Sequence, residues 1–379
     1  MRVLFLTNIP TPYRIDFFNA FGKLCELTVA FERSDASNRD KNWLENQSTD
    51  FKSIYLKGVK IGEDSSFSPS ILKYLKMDLF DVIIIGGYST PTGMLAIQYL
   101  NMKKIPFVLN TDGGFIKSEN PLKHWIKKHF IGSAYMWLST GKKTASYLNY
   151  YGADLDRIFC YPFTSLMKSD IAERILTISE KKLYKDNLSI SEEKMVISIG
   201  QFIPRKGFDN LIRSAATIQK NIGVYIIGGE PIQEYFDIIK SLNISNVHFV
   251  KFQTKYELDK YYNASDLFVL PTREDIWGLV INEAMAHGLP IITTEMCISG
   301  DELIKNGENG FIVPIDNLDL LSKAINSVLG SESLTKSMSQ ENLDKIKTYT
   351  IENMANEIFG ILTHNFKFEM DRKNEEREN

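Results

Sequence analysis

Asp266-Leu-Phe-Val-Leu-Pro-Thr-Arg-Glu-Asp275-Ile-Trp-Gly278-Leu-Val-Ile-Asn-Glu283-Ala-Met-Ala-His-Gly288-Leu-Pro290 is the stretch from which the rest of the chain can be read. It opens with an apolar run, Leu267 to Leu270, short enough for a buried strand. Pro271 ends that strand, because it has no N–H to give to a ladder. A polar loop follows, and Gly278 lets the backbone turn into a helix ending near His287-Gly288, where glycine suits the left-handed position past a helix end. Asp275 and Glu283 are eight residues apart, the first ahead of the helix and the second about a turn and a half inside it. Between them lie the N–H groups of Gly278, Leu279 and Val280, which make a helix N-terminus an anion site. A loop acid, a set of amides and a deeper acid suit a sugar nucleotide, with the acids on sugar and ribose hydroxyls and the amides on the diphosphate. An ordinary strand-loop-helix with surface acids would also produce this window, so the rest of the chain has to decide.

The run 271–286, Pro-Thr-Arg-Glu-Asp-Ile-Trp-Gly-Leu-Val-Ile-Asn-Glu-Ala-Met-Ala, resembles the signature of the retaining glycosyltransferases of family 4, which have the GT-B fold. That signature is an acid, seven residues, then Glu. Counting back from Glu283 selects Asp275 over its neighbour Glu274, so Asp stands where the family usually has Glu. The charge is kept, but the reach is one methylene shorter.

The composition fits such an enzyme. With 379 residues, two domains are expected, and 44% hydrophobic content is ordinary for a globular chain. A net charge of -3 argues against general nucleic-acid binding. Cys25, Cys160 and Cys297 are widely spaced and form no metal pattern, which suggests buried thiols in a reducing compartment. The opening run Arg2–Thr7 is too short for a signal peptide, and no stretch reaches the roughly 18 apolar residues of a membrane span. A cytoplasmic location is expected.

In order, the first half alternates strand and helix. Strands are expected at 3–7, 27–31, 81–85, 106–109, 135–139 and 158–161, and helices over 13–23, from Pro91, and over 143–150. Residues 33–52 are polar, and a loop with a short helix is expected there. Alternation with short connections implies a parallel sheet covered on both faces. Residues 166–193 are charged and poor in aromatics, and read as a partly helical crossing between domains. Alternation restarts at Met195 and runs through strands at 224–227, 247–250, 267–270, 291–293 and 311–313.

The expected layout is therefore an N-terminal Rossmann-like domain at 1–165, the crossing at 166–193 and a C-terminal Rossmann-like domain at 194–348. An amphipathic helix follows at 349–366, then a tail at 367–379 with nine charged residues of thirteen. The resemblance implies α/β architecture of the GT-B type: two doubly wound domains facing each other across a cleft. It implies that the donor binds the second domain and the acceptor the first, and that the last helix packs back on the first domain.

Gly200-Gln-Phe-Ile-Pro-Arg205-Lys206-Gly207 is the second chemical motif. A strand-end loop with two adjacent cations is a plausible diphosphate clamp, Lys as a movable point charge and Arg as a planar fork. It is similar to the family's Gly-Arg-four residues-Lys-Gly element, which puts Lys206 in the lysine position. Gln201 stands where many members have Arg, leaving Arg205 as the second cation. Fixed positive groups lower the barrier as charge builds on the leaving diphosphate. The resemblance further implies retention at the anomeric carbon, no essential metal and no cofactor beyond the nucleotide-sugar donor. No Asp-x-Asp pair closes a strand here. Phe252-Gln253-Thr254 matches the stretch that frames the nucleotide base in the family, and Gly228-Gly229-Glu230 ends another strand beside it.

On the acceptor side, Thr11-Pro12-Tyr13-Arg14 and Asp112-Gly113-Gly114 both follow first-domain strands. Many relatives have a His near the second of these, so Asp112 is a candidate for the acceptor hydroxyl and equally for a turn or cap. Residues 121–131 form an amphipathic helix with Leu122, Trp125, Ile126 and Phe130 on one face and Lys123 and Lys127 away from it. Relatives acting on lipid-linked acceptors touch the inner membrane through such a helix, although an ordinary packed helix with a solvated lysine face gives the same pattern.

The function expected is transfer of a hexose-type sugar, with retention, from a nucleoside-diphosphate sugar to a glycan or lipid-linked acceptor. UDP is the favoured carrier and bacterial surface polysaccharide synthesis the favoured setting. Lys206, Asp275 and Glu283 are the expected catalytic residues. Arg205, Gly278, Leu279, Val280, Phe252, Pro12, Tyr13 and Asp112 are the expected substrate contacts. The alternatives are a sugar-nucleotide epimerase on the same fold and a non-catalytic sugar-nucleotide-binding subunit.

Overall fold

The computed structural model describes residues 1–34, 49–61, 65–219 and 221–367. The chain divides into two compact units, one of residues 1–165 with the chain from Tyr349 onward and one of residues 166–348. Most of the polar stretch at 33–52 and all but the first residue of the charged tail at 367–379 lie outside the described residues.

The first unit runs β1 (Arg2–Thr7), α1 (Pro12–Gly22), β2 (Glu26–Phe31), β3 (Lys52–Tyr55), β4 (Val59–Ile61), β5 (Ser65–Phe67), β6 (Val82–Ile85), α2 (Pro91–Lys103), β7 (Val108–Thr111), α3 (Pro121–Gly132), β8 (Met136–Ser139), α4 (Lys142–Tyr150) and β9 (Ile158–Cys160). Seven strands make a parallel sheet in the order β3-β2-β1-β6-β7-β8-β9, while β4 and β5 pair antiparallel as a separate hairpin. Val3 to Leu6 and Val82 to Ile85 are buried on both faces, as unbroken apolar runs in a parallel sheet must be. The strand expected at 106–109 is shifted to 108–111, since Pro106 has no N–H for the ladder.

The second unit runs α5 (Ile178–Asn187), β10 (Lys194–Ile199), α6 (Phe208–Ala215), β11 (Ile222–Ile227), α7 (Gln233–Ser241), β12 (Val247–Val250), α8 (Lys255–Ala264), β13 (Leu267–Leu270), α9 (Leu279–Ala286), β14 (Ile291–Thr294), α10 (Ile298–Leu303), β15 (Gly310–Val313), α11 (Leu318–Leu329) and α12 (Glu332–Ile346). Its six parallel strands are ordered β12-β11-β10-β13-β14-β15. The chain winds outward from β10 in one direction and from β13 in the other, so the switch point lies between those two strands. After α12 the chain returns to the first unit as α13 (Ile351–Ile361), which packs on α1 and buries Met354 and Ile358.

The stretch 166–193 belongs to the second unit and does not stand apart as a crossing. Its charges explain why. On α5, Lys185 Nζ lies 2.8 Å and Lys181 Nζ 3.4 Å from the Asp266 carboxylate, and that carboxylate also accepts the Met195 N–H at 2.9 Å. What reads in sequence as a solvated charged segment is held by buried ion pairs at the foot of β10 and β13.

Candidate functional site

The loops leaving β10 and β13 meet at the switch point, where open parallel sheets bind ligands. Gly207 has φ +66°, and a Cβ there would lie 2.1 Å from the Pro271 carbonyl oxygen, so only glycine allows this approach. The loops are then joined by a ladder of polar contacts. The Arg205 carbonyl accepts from Arg273 N–H at 2.7 Å and Thr272 Oγ1 at 2.9 Å. Arg273 donates in turn to the Pro204 carbonyl and forks onto Asp209, with Asp316 on its other edge.

This ladder brings Lys206 and Asp275 together. The Lys206 ammonium donates to Asp275 Oδ2, and the two side chains are only 11% and 12% exposed. Arg205 is half exposed; its guanidinium donates to the Glu274 carbonyl at 3.1 Å and lies 4.0 Å from Asp275 Oδ1. Asp275 itself sits on fixed backbone. Its N–H donates to the Met296 carbonyl at 2.8 Å, its carbonyl accepts from Ile298 N–H at 3.2 Å, and it forms a parallel bridge with Cys297.

Gly278 has φ +85° and turns the chain from this bridge into α9. A Cβ there would press on Cys297 Sγ at 3.1 Å and Leu270 Cδ2 at 3.2 Å. Leu279 and Val280 begin the helix, where the first-turn amides have no intrahelical acceptor. Glu283, partly buried one turn on, accepts from the Tyr262 hydroxyl at 3.0 Å.

The remaining donor-side candidates lie at the same end of the sheet. Phe252 follows β12 and is 55% exposed, and Thr254 caps α8. Gly228 packs so close to Gly200 that a Cβ would meet its carbonyl oxygen at 2.2 Å, whereas Gly229 faces open space.

In the first unit, Pro12 opens α1 and places Tyr13 and Arg14 in its first turn. Arg14, outside the expected substrate contacts, connects the others. It donates to Thr7 Oγ1 at 3.3 Å and Tyr13 OH at 3.3 Å, and pairs with Asp112 Oδ2 at 3.4 Å. Asn110 donates to the Tyr161 hydroxyl at 2.9 Å, and these groups line one pocket with Phe163, floored by α13. Burial, then the Asp112 charge, pushes the Tyr161 hydroxyl pKa up, so it stays protonated. Asp112 is thus an ion-pair partner, and its carbonyl accepts from Thr144 Oγ1 at 3.2 Å.

The helix at 121–131 departs from the reading of an ordinary packed helix with a solvated lysine face. Leu122 and Trp125, expected on the packed face, are 66% and 63% exposed, and only Ile131 is fully buried. Lys127, expected in solvent, turns inward to Glu119 at 2.9 Å and to the Tyr151 hydroxyl at 3.1 Å. The cause is Glu119, which stands just ahead of the helix and draws the ammonium over the Tyr151 ring. Among the described residues no group of three or more His, Cys, Asp or Glu is arranged to hold a metal ion. None of their helices is long and apolar enough to cross a membrane.

Tyr262, Arg273 and Arg14 are the site residues that sequence reading missed. Arg14 follows a strand-end loop directly and Arg273 lies inside the 271–286 run, whereas Tyr262 carries no signal in sequence.

Residues 179–345 match the model of the family described as glycosyl transferases group 1. An uncharacterized glycosyltransferase of Haemophilus influenzae is 27% identical over 247 residues, covering 62% of this chain and 69% of that protein. The lipopolysaccharide glucosyltransferase WaaG of Escherichia coli is 24% identical over 171 residues, covering 44% of this chain and 45% of that one. Among solved structures, Anabaena HepE in complex with UDP superimposes with a TM-score of 0.76 at 17% identity, covering 96% of this chain and all of that one. The architecture is the GT-B fold.

Proposed function

We propose that this chain, whose residues 179–345 match the model of the group 1 glycosyl transferases, moves a hexose-type sugar from a nucleoside-diphosphate sugar to a glycan or lipid-linked acceptor. One observation carries the proposal. Lys206 and Asp275 are joined at the switch point, directly ahead of the N-terminus of α9, with Glu283 one turn inside. Lys206, Arg205 and the amides of Gly278, Leu279 and Val280 hold the diphosphate and take up its charge as the sugar leaves. Glu283 holds the ribose, Phe252 borders the base, and Asp275 holds the sugar. Lys206, Arg205 and the amides ahead of α9 supply the positive charge that a metal supplies elsewhere, so the reaction is metal-independent, and it proceeds with retention. UDP as the carrier is supported by HepE, whose fold this chain shares and which was solved with UDP. A surface-polysaccharide acceptor is supported by WaaG, a lipopolysaccharide glucosyltransferase. The acceptor binds the first unit at Pro12, Tyr13 and Asp112. The exposed Leu122 and Trp125, beside exposed Lys123 and Lys128, support peripheral contact with an anionic membrane surface.

Thermal shift against a panel of nucleoside diphosphates and their sugars tests the donor assignment, because a ligand at about 100 times its Kd adds about 2.7 kcal/mol to stability. UDP and a UDP-hexose should raise the midpoint, and labelled sugar should then pass to acceptor with its anomeric configuration kept. No stabilisation by any nucleotide sugar, and no release of sugar, would overturn the proposal.

A further inference from the structure

Glu283 is reached by a residue outside both the 271–286 run and the Gly200–Gly207 loop. Tyr262 lies near the end of α8, is 2% exposed, and donates its hydroxyl to Glu283 Oε2 at 3.0 Å. A buried phenol needs a partner for its O–H, and this one finds it on the carboxylate proposed to hold the ribose. The ring is itself held: His287 stacks on it at 4.8 Å with an interplanar angle of 20°. His287 Nδ1 lies 2.9 Å from the Glu283 carbonyl oxygen, and Nε2 lies 3.5 Å from Asp259 on α8. Phenol and imidazole thus form a two-ring brace between α8 and α9, closed on both the side chain and the backbone of Glu283.

We infer that Tyr262 is a positioning residue for the nucleotide ribose, acting through Glu283; this rests on the reading that Glu283 holds the ribose hydroxyls. A free Glu side chain samples many rotamers, and binding must halt them at a cost in entropy. The Tyr262 hydroxyl fixes one oxygen in advance, so the carboxylate meets the ribose already oriented. Burial, and then the Glu283 charge, hold the phenol pKa well above its ordinary value, so Tyr262 remains a donor across the working pH range.

The test compares UDP with 2′,3′-dideoxy-UDP on the full chain. Tyr262→Phe keeps the ring and its stack but deletes the hydroxyl. It should weaken UDP about three- to tenfold, the effect of one modest hydrogen bond, and leave the dideoxy analogue unchanged. In a Glu283→Ala background the same substitution should change nothing further, because its target is gone. If Phe does not fold at this position, Tyr262→Met also lacks the hydroxyl and fills the core flexibly. Equal weakening of both nucleotides would mean a purely structural role and overturn the inference. A preference for UDP undiminished in Tyr262→Phe would do the same while leaving the ribose assignment of Glu283 intact. If the unaltered protein binds both nucleotides equally, the ribose assignment itself fails, and the inference with it.

Discussion

The Lys206 ammonium rests on the Asp275 carboxylate, its partner 69 residues further along the chain, where the loops leaving β10 and β13 meet and the winding of the sheet reverses. Neither side chain is well exposed, so each charge is held mainly by the other. Under the proposed function, an incoming phosphate shares Lys206 with Asp275 and has no need to recruit it from solvent. That arrangement is preorganised, which is what stabilisation of a developing charge requires.

Lys206→Ala should therefore lower turnover more than it weakens donor binding, because charge on the leaving phosphate grows toward the transition state. By comparison with the loss of other transition-state donors, about a hundred- to a thousandfold in kcat is expected. Steady-state kinetics with the donor varied decide it. A rise in KM with kcat unchanged would make Lys206 a binding residue only.

Asp275→Asn keeps the shape and removes the charge, so it should cut transfer while leaving affinity for the nucleoside diphosphate nearly intact. Asp275→Glu introduces the residue usual in the family 4 signature that this run resembles and should keep substantial activity, with an altered preference among donor sugars. Glu274 is the neighbour outside the signature register, and the observed contact from Arg205 is to its backbone carbonyl, so Glu274→Gln should be milder. Transfer rate and nucleotide affinity for all three variants check the register. A damaging Glu274→Gln beside a silent Asp275→Asn would shift it by one.

Asp266→Asn should destabilise the second unit by about 3–5 kcal/mol, because it leaves buried Lys185 and largely buried Lys181 facing a neutral amide. Burial alone would raise the Asp266 carboxyl, but Lys181 and Lys185 outweigh it and hold the group below its ordinary value of 3.8. A carboxyl with a depressed folded pKa adds stability above its unfolded pKa and loses it as pH falls through the folded value. Denaturant titrations should show a wide gap between variant and unaltered protein at neutral pH, narrowing below about pH 4.

Glu32 behaves in the opposite sense. Burial raises its carboxyl above the ordinary 4.5, against bonds from Thr90 Oγ1 at 2.6 Å and Ser66 N–H at 3.3 Å. A raised folded pKa gives stability that is complete below the unfolded pKa and lost as pH rises through the folded value. Relative to Glu32→Gln, the unaltered protein should therefore lose stability between pH 4 and pH 7. Chemical denaturation at both pH values measures the change, and a gap that is constant or moves the other way would refute it.

Much of the fold was legible because its signals are local. Short apolar runs such as Val82 to Ile85 and Leu267 to Leu270 bury both faces of a strand, and the glycines at 207, 278 and 288 occupy left-handed backbone that side chains avoid. Each of these depends on a few consecutive residues, so composition and spacing determined the alternation of strand and helix, the loops that carry Lys206 and Asp275, and the helix that carries Glu283. Which charges meet was decided by tertiary structure. Lys206 pairs with Asp275 because β10 and β13 are neighbours in the sheet, Arg14 pairs with Asp112 across 98 residues, and Lys181 and Lys185 fold a charged stretch into the second unit. Tyr262 reads in sequence as one more aromatic on a helix and acquires its partner only when α8 lies beside α9. Lys127 faces inward because Glu119 holds it there, where helical periodicity pointed to solvent. Long polar side chains reach across elements, and their partners are set by strand order and packing, to which spacing along the chain gives no direct access.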